Sequence, residues 1–145
     1  MIKIYKTILF ILVTMNSFNI VVANENFFDE AREQFNKKKI ENSKFLFQRN
    51  IVFNPQNAES YLYLAKIFNF EKNIKEEKKN LDTVLLLDPE NEKATKMLID
   101  IELKKSNYSK VKILSKNFKI ICSKLCGEIT RIDEMLKNIE PKNES

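Results

Sequence analysis

Cys122 and Cys126 are the two thiols of a 145-residue chain that contains no histidine. Four residues apart, they could close a short disulfide, cycle as a thiol–disulfide pair, or offer two thiolates to a metal. The metal option stops early, because a four-coordinate zinc site needs two further donors and no other cysteine or histidine exists to supply them. A redox centre ordinarily uses Cys-x-x-Cys beside a thioredoxin-like strand pattern. Here the spacing is Cys-x-x-x-Cys and no such pattern surrounds it. Without histidine the usual general base is missing as well. The acid pairs Asp29–Glu30 and Asp133–Glu134 fall on helix faces that should meet solvent, and a single glycine cannot build a phosphate-cradling loop. No catalytic residue, cofactor or metal ligand is expected, and an enzyme is not the reading these residues favour.

What the thiols do depends on where the chain resides. Lys3 and Lys6 precede an apolar run from Thr7 to Val13, and Val21-Val22-Ala23 then places small or apolar residues before Asn24. That order is the one of a secretory signal peptide, with cleavage expected after Ala23. An uncleaved anchor is the competing reading. Asn16, Ser17 and Asn19 interrupt the apolar stretch, which falls short of the ~20 residues a spanning helix needs. With no cysteine before position 122 there is no lipid-anchor site. The mature protein is expected to be soluble and exported, periplasmic in a bacterium with an outer membrane and otherwise secreted. In such a compartment two cysteines near the end read as one disulfide, with a thiol–disulfide carrier as the alternative. Residues four apart in a continuous helix hold their Cβ atoms ~5–6 Å apart, whereas a relaxed disulfide wants about 3.5–4.5 Å. A bond would therefore break the helix, and Gly127 is placed to take the positive φ that ends one.

The chain carries 25 basic and 20 acidic residues, a net +5. Removing Lys3 and Lys6 with the targeting segment leaves 23 against 20, a net +3. The charges read as interspersed, with Lys37–Lys39 the longest basic run and Glu76-Glu77-Lys78-Lys79 alternating in sign. Nucleic-acid binding would want a basic stripe with stacking aromatics along it; the aromatics here recur at helix-core spacing, so the basicity reads as a solvated surface.

One glycine and three prolines leave little material for hairpins, and apolar residues recur at helical steps. Tyr61, Leu64, Ala65 and Phe68 make one stripe; Ile74, Leu81, Val84 and Leu85 make the next, with a turn over Asn69–Asn73. Phe27, Ala31 and Phe35, then Ile40, Phe47 and Ile51, form an earlier pair of stripes. Leu98, Ile101 and Tyr108, then Val111, Leu114, Phe118 and Ile121, form a later one. A last stripe, Ile129, Ile132, Met135, Leu136 and Ile139, stops at Pro141. Two segments repeat at an offset of 34: Phe53-Asn-Pro-Gln-Asn57 and Leu87-Asp-Pro-Glu-Asn91.

A period of 34 closed by proline resembles the tetratricopeptide repeat (TPR) family. The match is best over 58–91, at Tyr61, Leu64, Ala65, Phe68, Leu81 and Pro89. Glu77 departs from it, standing where the family has a small residue against the first helix; Ser43 keeps that position in the preceding unit. The resemblance covers roughly residues 24–121, and the Cys pair before a last helix is similar to a feature of small exported bacterial members; it implies an all-α, right-handed stack of about three units and seven helices. Its expected parts are a signal peptide (1–23), a degenerate unit (24–57), the clear unit (58–91), a degenerate unit (92–121), a disulfide turn (122–127), a capping helix (128–140) and a disordered tail (141–145). Ser123 replaces the third closing proline.

The family's first helices line a concave groove that takes a partner protein. Carried over by position, that lining is Phe28, Arg32 and Phe35, then Leu62, Lys66, Asn69 and Phe70, then Lys96, Asp100 and Leu103. The Lys–Asn clamp some members use for a peptide carboxyl terminus is not reproduced, since Tyr63 and Met97 stand where it places polar or basic residues. The resemblance implies a scaffold or adaptor binding another protein, with no nucleic acid and no stable membrane span after cleavage. A self-associating envelope protein, a homodimer through an exposed stack end, is the alternative.

Overall fold

The computed structural model describes residues 27–138; the expected targeting segment, Ile139, the helix stop expected at Pro141 and the expected tail lie outside them. The described residues form seven α-helices and no strand. They are α1 (Phe27–Asn36), α2 (Ile40–Phe53), α3 (Ala58–Phe70), α4 (Ile74–Leu87), α5 (Glu92–Lys104), α6 (Tyr108–Ile121) and α7 (Glu128–Lys137). Each packs on the helix before it in an all-α repeat stack. The period survives to the residue: α2, α4 and α6 begin at Ile40, Ile74 and Tyr108, and α3 and α5 at Ala58 and Glu92.

Backbone chemistry repeats with the same step. Lys38, Lys72 and Ser106 have φ of 59°, 59° and 54°, in the left-handed region. Each follows the end of a first helix, and the next amide bonds back across it: Lys39 to the Gln34 carbonyl, Asn73 to Phe68 and Asn107 to Glu102, all at 2.9 Å. This is the six-to-one closure of a left-handed helix stop. The turn after α3 accordingly begins at Glu71, two residues later than the sequence suggests. Asn57, Asn73 and Asn91 then cap α3, α4 and α5, each side-chain oxygen accepting from the amide three residues on. Gly127 does not take a positive φ; it is α-helical at φ −59° and precedes α7. The helix stop expected of it is supplied by extended Cys122 instead.

Two apolar cores result. Phe27, Ala31, Leu46 and Phe47 meet Leu64, Ile67 and Phe68 in the first. Leu62, Ala65, Leu81 and Val84 join Leu98, Ile101, Val111, Leu114, Phe118 and Ile132 in the second. Ile74 is largely exposed rather than part of the α4 stripe. Glu77, expected to disturb the contact of α3 with α4, is only 2% exposed. The helices pack because its carboxylate finds a partner, the Asn69 side-chain amide donating to it at 2.8 Å.

Helix α7 covers the end of the stack. Ile132 is fully buried among Val111, Leu114 and Phe118, with Ile129 and Leu136 packed alongside. No described helix is long and apolar enough to cross a membrane. Ile132→Ala should lower the unfolding free energy by about 2–5 kcal/mol, the cost of a large-to-small change in a closed core. Urea denaturation followed by circular dichroism reads this directly; an unchanged midpoint would mean that α7 is not a structural cover.

Candidate functional site

Side chains of α3, α5 and α7, with Glu77 of α4, line an open cleft of about 490 Å³. Its apolar lining is Met97, Ile101, Leu103 and Met135; its polar lining is Lys66, Asn69, Glu77, Lys96, Asp100, Lys104 and Arg131. Five residues expected from the sequence meet here: Lys66, Asn69, Lys96, Asp100 and Leu103.

The charges are arranged in two layers. Across the mouth, Arg131 reaches Asp100 at 2.9 Å and Glu128 at 2.8 Å, and Lys96 reaches Asp100 at 2.9 Å. This joins α5 to α7 through half-exposed groups. On the floor, Glu77 is the deepest carboxyl. Burial pushes its pKa up, while the Asn69 bond and the nearby Lys104 charge oppose that shift. Lys66 is displaced in the other direction, its pKa lowered by burial and then by Lys93. Its ammonium lies 4.3 Å from the Tyr63 ring centroid, a favourable place for a cation that has lost part of its water.

Toward the amino-terminal end the same face becomes aromatic. Phe28 and Phe35 are half-buried and meet Tyr63 edge-on, with centroids at 5.9 and 5.2 Å; Tyr63 stacks on Phe47 at 4.8 Å. Arg32 is exposed, pairs with Asp29 at 3.0 Å and lies over Phe28. These aromatics hold one another, so they form a wall more than free anchors.

Of the five expected residues outside the cleft lining, Phe28, Arg32 and Phe35 make the aromatic end, and Leu62 and Phe70 belong to neither. Leu62 is 2% exposed and belongs to the second core, because α5 packs directly over it. Phe70 is 74% exposed at the end of α3 and lies outside the cleft lining. Tyr63, Glu77, Met97 and Arg131 were not among the expected site residues. Arg131 comes from α7, which has no counterpart in the three-unit count; Glu77 was visible only as a departure from the small-residue position.

The cysteines lie at the far end of the second core, against which Cys122 and Leu125 pack. Their Cα atoms are 5.2 Å apart, and α6 ends at Ile121, so the helix breaks where the pair occurs. The loop is held by Glu92, whose carboxylate accepts from the Ser123 hydroxyl at 2.7 Å and from the Lys124 and Leu125 amides at 3.0 and 2.7 Å. Leu125 stands 34 residues after Asn91 and cannot cap as that residue does; the carboxylate of the preceding unit takes over the role. The Ser123 hydroxyl, then the Leu125 and Lys124 amides, hold the Glu92 pKa at about 2 against the cost of burial. No group of three or more Cys, Asp or Glu positioned for a metal occurs among the described residues.

No protein-family model and no curated protein matches the chain. Solved structures do. The Yersinia enterocolitica type III secretion translocator chaperone SycD is similar with a TM-score of 0.67 at 15% identity, over 92% of this chain and 94% of that one. The TPR2B domain of yeast Sti1, in a complex with pHsp70, gives 0.64 at 16%, over 78% and 92%. The first TPR of Spaghetti (RPAP3), bound to the HSP90 peptide SRMEEVD, gives 0.64 at 11%, over 77% and 90%. At such identities the likeness is one of fold, and it bears out the TPR-like stack.

The Glu92 geometry generates a pH signature. A carboxyl whose pKa falls from 4.5 to about 2 on folding stabilises the folded state above 4.5, and that contribution disappears as pH drops through about 2. Glu92→Ala should therefore unfold at lower urea than wild type at neutral pH, with the gap closing in acid. A gap of constant size across that range would mean that Glu92 acts only by packing.

Proposed function

We propose that the chain is an exported, non-catalytic interaction module that holds a segment of another protein against its concave face. The observation that carries this reading is the cleft of α3, α5 and α7, where Lys66, Asn69, Lys96 and Asp100 converge beside an aromatic wall. Two of the structurally similar proteins hold a protein or peptide partner, pHsp70 in one and the HSP90 peptide SRMEEVD in the other. The third is a chaperone. With Tyr63 and Met97 in place of the clamp residues, the partner of this chain is not read by its free carboxyl terminus. It is instead gripped along its length, apolar side chains against the aromatic wall and polar ones over the charged floor.

A photo-crosslinking residue at Lys104, exposed at the cleft, should capture one protein in the native cell, whereas the same residue at Glu30 should not. Lys66→Glu combined with Lys104→Glu should then weaken binding of that protein by roughly tenfold or more, with the melting temperature close to wild type. Unchanged affinity in a folded double variant would remove the cleft from the interface.

In this reading Cys122 and Cys126 form a structural disulfide in the exported protein. Their Cα separation of 5.2 Å lies within the range of bonded pairs, and the loop joins α6 to the covering helix. Thiol labelling of protein purified without reductant should find no free thiol. Changing both cysteines to serine should cost roughly 2 kcal/mol on the chain-entropy account. Two labelled thiols in the folded protein would exclude the bond, and rapid reduction by a dithiol would favour the carrier.

A further inference from the structure

Positive charge in this chain is gathered, not interspersed. Residues 103–127 hold seven lysines and no aspartate or glutamate. The whole chain is net +5, so everything outside that stretch is net −2. The stretch folds mainly into α6, which buries Val111, Leu114, Ser115 and Phe118 on its inner side. Its outer side presents Ile113 and Ile120, 64% and 80% exposed, at a helical step of seven. Lys110, Lys112, Lys116 and Lys119 surround them, all exposed, and Lys119 spans to Asp133 of α7. Beside the start of α6 a shallow depression of about 520 Å³ continues the basic field, with Lys75, Lys79 and Lys105 on its rim and Asp82 its one acid.

From this arrangement we infer that the outer face of α6 docks on an anionic membrane surface. The pattern of isolated large aliphatics within a lysine field on a helix is the one that settles into the headgroup layer, where acyl chains receive the isoleucines and lipid phosphates the ammonium groups. A second copy is a poor occupant, since the face would meet its own charge. Single-stranded nucleic acid would need aromatics for base stacking; Phe118 is buried and Tyr108 half-buried. The cleft opens between α3, α5 and α7, so a chain docked through α6 would keep that face available to a partner.

The test is co-sedimentation of the full chain with vesicles of phosphatidylcholine, alone or with one part in three phosphatidylglycerol. The quantity read is the difference between the two vesicle types, to which an apolar amino-terminal segment contributes equally. Anionic vesicles should bind more, and the excess should vanish at about 1 M salt, where screening acts within ~3 Å. Lys110→Gln with Lys116→Gln should cut the excess about twenty-five-fold, at about fivefold for each lysine at the surface. Ile113→Asn with Ile120→Asn should also cut it, at unchanged charge. Lys93→Gln with Lys137→Gln, the same charge change elsewhere, should leave it nearly intact, and circular dichroism of each variant reports folding. Equal binding to both vesicles, or equal losses from the two lysine pairs, would overturn the inference. So would retention on polyglutamate without vesicle binding, which would assign the face to an acidic protein.

Discussion

An amphipathic helix pair has two apolar faces and can cover only one of them within itself. The architecture follows from that shortfall, because each pair must borrow cover from the next. Helix α3 carries the largest share. Its Leu64, Ile67 and Phe68 complete the first core while Leu62 and Ala65 enter the second. Without α3 the aromatic wall and the charged cleft would have no common frame. At the carboxyl-terminal end the borrowing stops with α7, half a pair, whose inner face is apolar through Ile132 and whose other sides are free to carry Arg131 to Asp100. One helix thus closes a core and completes a cleft.

The helices were legible because the signals that made them repeat. Pro55 and Pro89, the stripes at three- and four-residue steps and the Asn caps all carry one period, and errors in one unit are corrected by the others. What could not be read was whatever depends on a single side chain's surroundings. Leu62 occupies a groove position by sequence, as Phe28 and Lys96 do, yet it alone is buried, in the core it shares with Ala94 and Leu98 of α5. Glu77 looks like a packing fault until Asn69 is seen to donate to it. Gly127 drew attention through its residue type, whereas the left-handed positions belong to Lys38, Lys72 and Ser106, which carry no such flag in sequence. The gathering of lysines was open to inspection throughout. No basic run within it exceeds two residues, so it shows only as the absence of acids from 103 to 127.

The loop that separates α6 from α7 has two independent restraints, one covalent in the proposed disulfide and one electrostatic in Glu92. They act on neighbouring atoms but respond to different conditions, the first to reductant and the second to acid. Either alone would hold α7 near the core; together they limit how far it can swing, and with it the position of Arg131 at the cleft mouth. The shape of the cleft mouth is in this way tied to a loop that lies outside the cleft lining.

The three left-handed residues carry a consequence for how much stability this chain leaves unused. A residue with a Cβ held in that conformation costs roughly 1–2 kcal/mol, and the two lysines and the serine incur it once in each of the three turns. Glycine would relieve it at every one of them, at some cost in unfolded-chain entropy. The stack therefore sits below the robustness its own backbone permits, by a margin comparable to the loss of a core methyl in each unit. Glycine at Lys38, which lies outside the cleft lining and far from α6, is the simplest route to a hardier scaffold.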